Sequence, residues 1–204
     1  MTDISLSASK CDSIESFASA YFARLSVVLE SLDLTQLAAF ESELESARQD
    51  DHTIFTAGNG GSATTASSMA NDLGFDILKK TSVDQTFRLH ALTDSLPAIT
   101  AVANDVGYDR VFVDQLRIHF RQGDKLVAIS ASGNSPNVVE AAEWTKRHGG
   151  RVIALVGFSG GRLADVADVV LHFATTAGEY GPTEDAHLVV NHILAHWFQK
   201  KLLP

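Results

Sequence analysis

From Ser13 to about Leu32 the apolar residues Ile14, Phe17, Tyr21, Phe22, Leu25, Val28 and Leu29 recur at helical spacing and predict one amphipathic helix. Leu37, Ala38, Phe40, Leu44 and Ala47 repeat the pattern between Leu34 and Arg48 and predict a second. Residues 1 to about 12 are polar and are expected to be loose. Beyond them the period changes. Short apolar runs at Thr53 to Ala57, Phe87 to Leu92, Leu126 to Ile129, Val152 to Val156 and Val169 to Phe173 read as strands. Helical segments alternate with them, at about Ala63 to Leu78, Ala98 to Ala103, Val111 to Phe120, Pro136 to His148, Leu163 to Val166 and Thr183 to Leu202. The stretch Gly178 to Pro182 is expected to break the chain before the last helix. Such alternation requires parallel pairing through right-handed crossovers, so the predicted fold is an α/β three-layer sandwich around a parallel sheet of about five strands. The two leading helices fall outside this repeat. Residues 1–50 are therefore expected to form a helical oligomerisation segment that packs on a second subunit, and residues 51–204 the sandwich domain.

Two strand-to-helix junctions carry candidate chemistry. In Lys125 to Ala142 a buried strand gives way to Ser130, Ser132, Gly133, Asn134 and Ser135, and Pro136 opens a helix. The glycine permits close backbone approach, and the first helical turn offers unpaired N–H groups at a positive dipole end. This is a phosphate-binding pattern, although serines capping an ordinary turn give the same letters. The run Gly58-Asn59-Gly60-Gly61-Ser62 after the first strand is of the same type. Both loops are expected beyond the carboxyl ends of their strands, facing one small anionic ligand. A polar turn from Asn104 to Asp109 adds further hydrogen-bonding groups.

Charge changes the picture of partners. The formal charge is -9 with a pI near 5.2, so there is no basic field for nucleic acid, and phosphate must be held by local amides and hydroxyls. Cys11 is the single cysteine, which excludes an intramolecular disulfide and a multi-cysteine metal site. No apolar run approaches a membrane span and no signal-peptide pattern is present, so a cytoplasmic protein is expected.

With GNGGS after the first strand, SASGNS at 130–135 and AVANDVGYDRVF at 101–112, nearly the whole chain resembles the sugar isomerase (SIS) domain family, most closely its phosphoheptose isomerases. The resemblance implies an isomerase converting sedoheptulose 7-phosphate to D-glycero-D-manno-heptose 7-phosphate through an enediol. It also implies a homotetramer with sites shared between subunits. It places phosphate on Ser130, Ser132 and Ser135, the sugar near Asn59, Gly60 and Ser62, and its hydroxyls near Asp105. The family's helix-borne His and Glu fall on Ser68 and Asp72, and the Gln and His of its terminal helix fall on Glu184 and His192. In the family these four positions form a metal site, so zinc stays open here, with Asp72, Glu184 and His192 as the remaining candidate ligands and candidate catalytic groups. Asp72 is one methylene shorter than Glu, roughly 1.5 Å. Glu184 lies eight residues from His192, about 80° around the helix, so both could border one cleft. His187 and His196 sit on nearby turns of the same helix, Trp144 and Trp197 read as packing or subunit contacts, and Lys79, Lys80 and Arg88 as surface charges. The substrate-binding Arg of the family falls on Asp76. The changed set leaves two other readings open: a non-catalytic SIS module that binds a phosphosugar or a protein partner, as in the initiator-associating type, and an isomerase of a different sugar phosphate.

Overall fold

In the computed structural model, which describes Ile4 and residues 10–203, the runs that are apolar on both faces become strands covered on both faces. The elements are α1 (Ile14–Glu30), α2 (Leu34–Gln49), β1 (Thr53–Gly58), α3 (Gly61–Met69), a π-helical stretch (Ala70–Asp76), α4 (Ile77–Lys80), β2 (Arg88–Ala91) and α5 (Leu96–Asp105). They continue with α6 (Val113–His119), β3 (Lys125–Ser130), α7 (Pro136–Arg147), β4 (Arg151–Val156), α8 (Gly161–Val166), β5 (Val169–His172) and α9 (Tyr180–Lys201). The strands form one parallel sheet in the order β2-β1-β3-β4-β5. The α/β sandwich predicted from the alternation is the architecture found. The expected loose segment falls mostly on residues 1–3 and 5–9, outside the described residues.

Alternation along each strand divides the core. Ile54, Val127, Ile129, Ile153, Leu155 and Leu171 face α1, α2, α3 and α9, while Phe55, Leu126, Ala128, Val152 and Ala154 face α6, α7 and α8. The leading helices do not stand apart from this core. Val28, Phe40, Leu44 and Ala47 are buried within it, because the sheet's first face has no other cover at that end. Ile14, Phe22, Val27 and Leu34 remain exposed on their outer side.

The structure departs locally from the predicted elements in two places. The last helix begins at Tyr180 and takes Gly181 and Pro182 into its first turn, where the missing proline N–H would have had no helical partner anyway. The helix after GNGGS begins at Gly61 and passes into i→i+5 geometry over Ala70–Asp76 before resuming as α4.

The start of α9 is fixed by charge. Arg24 of α1 grips Glu179 through both carboxylate oxygens, Nε to Oε1 at 2.9 Å and Nη2 to Oε2 at 2.7 Å, with both side chains almost fully buried. The Thr176 N–H adds a third donor at 2.7 Å. Led by the Arg24 hydrogen bonds, these partners hold the Glu179 carboxyl down at about 2, against an ordinary value of 4.5. A carboxylate depressed in the folded state contributes stability that is present above its unfolded pKa and lost as pH falls through the folded one. Arg24→Met leaves a buried charge without its partner and is expected to cost roughly 3–5 kcal/mol at pH 7. The deficit should shrink as pH falls from about 4.5 towards 2, where Glu179 takes up a proton. Urea unfolding of both proteins at pH 7 and pH 3 checks this; a deficit that stays constant would show that the pair does not carry the effect.

Candidate functional site

β1 and β3 are hydrogen-bonded neighbours, with Phe55 beside Leu126 and Gly58 beside Ile129. Their carboxyl ends therefore open side by side at the point where the strand order reverses. The loop after β3 is folded by its own groups. Gly133 N–H donates to the Ser130 carbonyl at 3.0 Å, and Asn134 N–H to Ser132 Oγ at 3.2 Å. Gly133 has φ 64°, and a Cβ there would collide with the Gly160 carbonyl oxygen. The Gly160-Gly161 loop thus backs directly on the serine loop, with Leu163 N–H donating to the Gly133 carbonyl at 2.9 Å. Ser135 is the N-cap of α7, yet its hydroxyl makes no capping bond; it lies 3.2 Å from Ser130 Oγ. Hydroxyls and helix N–H groups are consequently turned toward one place.

The loop after β1 faces it. Asn59 and Asn137 form a reciprocal amide pair, both hydrogen bonds at 2.9 Å, and the Tyr108 hydroxyl donates to Asn59 Oδ1 at 2.9 Å. Between the loops lies a cavity of about 130 Å³ lined by Asn59, Ser62, Ser130, Ser132, Ser135, Tyr180 and Glu184 together with Ile129 and Ala131. It contains no Lys or Arg. That is below the ~300–1,000 Å³ of whole-ligand pockets, so it accommodates one end of a ligand. Gly60, with φ 55°, is the N-cap of α3 and shapes the loop from behind. Asp105 stays on the exposed end of α5, accepting from Asn104 Nδ2 at 2.7 Å, outside the cavity lining.

Glu184 enters this cavity from α9. Its carboxylate rests against the backbone of Gly61, so that a Cβ on Gly61 would collide with it. The group is therefore seated at the first residue of α3, an end that favours negative charge. Burial, with a smaller contribution from neighbouring Asp185, nevertheless raises the Glu184 carboxyl above its ordinary value. Asp185 is in turn held by Tyr21 of α1, whose hydroxyl donates to Oδ2 at 2.5 Å. Burial, and then the Asp185 carboxylate, push the Tyr21 phenol well above its usual range.

The other two candidate catalytic residues meet elsewhere on α9. Asp72 Oδ2 lies 3.9 Å from His192 Nε2 and accepts from Asn191 Nδ2 at 2.6 Å, while Oδ1 accepts from Asn71 Nδ2 at 2.9 Å. His192 is half exposed on an apolar surface with Val189, Ile193 and Trp197. Within one chain Glu184 and His192 thus line separate surfaces. The two further histidines of α9 differ: His196 is exposed, and His187 is fully buried against Phe173, where burial lowers its pKa to about 4. Asp76 is taken up by Lys79 and Lys80, at 3.1 and 2.7 Å. Trp144 stacks on His148, and Trp197 donates to Glu41. Tyr108 belongs to the polar turn expected at Asn104 to Asp109, whereas Asn137, Tyr180 and Asn191 are not among the residues the sequence singles out. Their only sequence signal was a polar letter on a helix or turn.

A model of the SIS domain matches residues 17–157. A phosphoheptose isomerase of Rhodospirillum rubrum is 38% identical over 141 residues, 69% of this chain and 72% of the relative. One from Chlorobaculum parvum is 34% identical over 178 residues, 85% of this chain and 82% of the relative. This chain belongs to the phosphoheptose isomerase family. The structure of the phosphoheptose isomerase from Neisseria gonorrhoeae superposes with a TM-score of 0.81 at 28% identity, covering 92% of this chain and all of that one.

Membership in the phosphoheptose isomerase family makes the metal question specific, and the residues of one chain do not fit a metal ion. Among the described residues no three His, Cys, Asp or Glu side chains come together as a ligand set. Position 68 is serine, and both Asp72 oxygens already accept amide hydrogens. The serine loop, by contrast, retains every hydroxyl the phosphate reading needs. Ser132→Ala with Ser135→Ala is expected to weaken binding of a sugar phosphate by at least about tenfold, since two hydroxyl contacts at about 1 kcal/mol each are lost. The global fold should be unaffected because the Ser135 side chain provides no cap to α7 and the Ser132 hydroxyl bonds only within the exposed loop, to Asn134 N–H. Calorimetry with sedoheptulose 7-phosphate measures the affinity; an unchanged value would place the phosphate elsewhere.

Proposed function

We propose that this chain interconverts sedoheptulose 7-phosphate and D-glycero-D-manno-heptose 7-phosphate by aldose–ketose isomerisation. The observation that carries this reading is a carboxylate of raised proton affinity, Glu184, seated in the same cavity as the phosphate-binding serines. Isomerisation moves one proton between adjacent carbons and another between their oxygens. Glu184 takes the carbon-bound proton and returns it to the neighbouring carbon of the enediol. Asp72 and His192 form the second acid–base pair, which serves the oxygens.

One chain cannot bring both groups to adjacent carbons. Eight residues along an α-helix separate Glu184 from His192 by about 12 Å. The cavity of one copy therefore receives Asp72 and His192 from another, in a homotetramer. The apolar surface around His192, with Ile193 and Trp197 each 45% exposed, supports coverage by a second copy. Shared sites also fit a cavity that encloses only one end of a ligand.

Ser68 and the shortened Asp72 favour a second reading, a module that binds sugar phosphate without turnover. Glu184 separates the two. Glu184→Gln keeps shape and removes the base, and is expected to lower kcat by about 10²–10⁴-fold with little change in binding. Gly61→Ala should act in the same direction, because the new methyl displaces a mobile carboxylate rather than backbone. Proton NMR of sedoheptulose 7-phosphate turnover reads both variants against the wild type. Wild-type binding without product would overturn this reaction and leave the non-catalytic module or an isomerase of a different sugar phosphate.

A further inference from the structure

Asp72 is gripped by amides on both oxygens, and one of those amides is out of place by ordinary packing rules. Asn191 is fully buried on the inner face of α9. Its Nδ2 donates to Asp72 Oδ2, but its Oδ1 has no hydrogen-bond partner among the described protein groups. A buried amide with an unpaired carbonyl destabilises the fold relative to an apolar side chain of the same size. Its orientation is still fixed: turned over, its carbonyl would face a carboxylate oxygen. The carboxylate it meets is carried by the π-helical stretch Ala70–Asp76, a local widening that re-aims side chains and is frequent at functional sites.

We infer that Asn191 is a positioning residue for Asp72, its amide fixing the carboxylate beside His192 with Asn71 holding the other oxygen. This rests on the reading of Asp72 and His192 as the second acid–base pair. Asp72 reaches His192 only at 3.9 Å, so the pair is not locked by a direct hydrogen bond. The amide donor supplies the missing restraint. Asn71 is exposed and adjacent in sequence, and by itself would leave the carboxylate free to swing.

The test compares wild type, Asn191→Leu and Asp72→Asn in turnover of sedoheptulose 7-phosphate. Asn191→Leu is expected to lower kcat by about 10–100-fold while KM moves less than about threefold, because geometry and not binding is lost. Its melting temperature should not fall, since the orphaned carbonyl is removed; a merely structural asparagine would show a lower melting temperature with kcat intact, and that result overturns the inference. Asp72→Asn at wild-type kcat overturns both the acid–base pair and its positioning residue. Asp72→Asn at a loss of about a hundredfold or more, with Asn191→Leu unchanged, overturns the positioning role alone. A double-mutant cycle of Asp72→Ala and Asn191→Ala in thermal unfolding reads the contact without any activity. Non-additivity of roughly 2–4 °C is expected. Additive shifts would overturn the inference even if the wild type proved to act on another sugar phosphate.

Discussion

The pairing of β1 with β3 is the constraint on which the site depends. These strands are far apart in sequence, yet their hydrogen bonds set Gly58 beside Ile129, and each then ends in a loop of small residues. Chain direction and sheet order decide the rest. Because every strand is parallel, both loops emerge on the same edge, and each hands over to a helix whose N-terminus points at the space between them. In the proposed site, amides and hydroxyls take the place of lysine and arginine, neither of which lines the cavity.

Close backbone contact gives that arrangement its rigidity. The serine loop lies directly on the Gly160-Gly161 loop, where no side chain fits between them. The first loop is held to α7 by the Asn59–Asn137 amide pair. The proposed phosphate site is therefore preorganised, with two loops backed on each other and the third tied to α7. The groups proposed for proton transfer are set differently. Glu184 rests against the backbone of Gly61 with no hydrogen bond to its carboxylate among the described residues, and Asp72 depends on two amides from different elements.

Much of this could be read from the letters. The alternation of apolar runs is sufficient for the parallel sandwich, and GNGGS and SASGNS locate both loops, because two strand-to-helix junctions of the same type point to one shared site where a single one reads equally as a capped turn. Less legible were contacts that join distant segments. Nothing in the sequence links Gly61 to Glu184, or Asn191 to Asp72, since each pair meets only after α9 has packed across α3. The π-helical stretch is also hidden, because nothing in the residues from Ala70 to Asp76 distinguishes i→i+5 from ordinary helical geometry. Their place outside the strand–helix repeat makes the leading helices read as a surface for a partner, and it does not reveal that their other face, with Phe40 and Leu44, is as buried as any strand residue.

The grip of Arg24 on Glu179 has a meaning beyond stability. Glu179 immediately precedes α9, and Tyr21, on the same helix as Arg24, holds Asp185 beside Glu184. The first helix is thus the foundation of the last one's opening turn. A sandwich cut at residue 51 would keep the glycine and serine loops but lose the contacts that fix the start of α9 beside them.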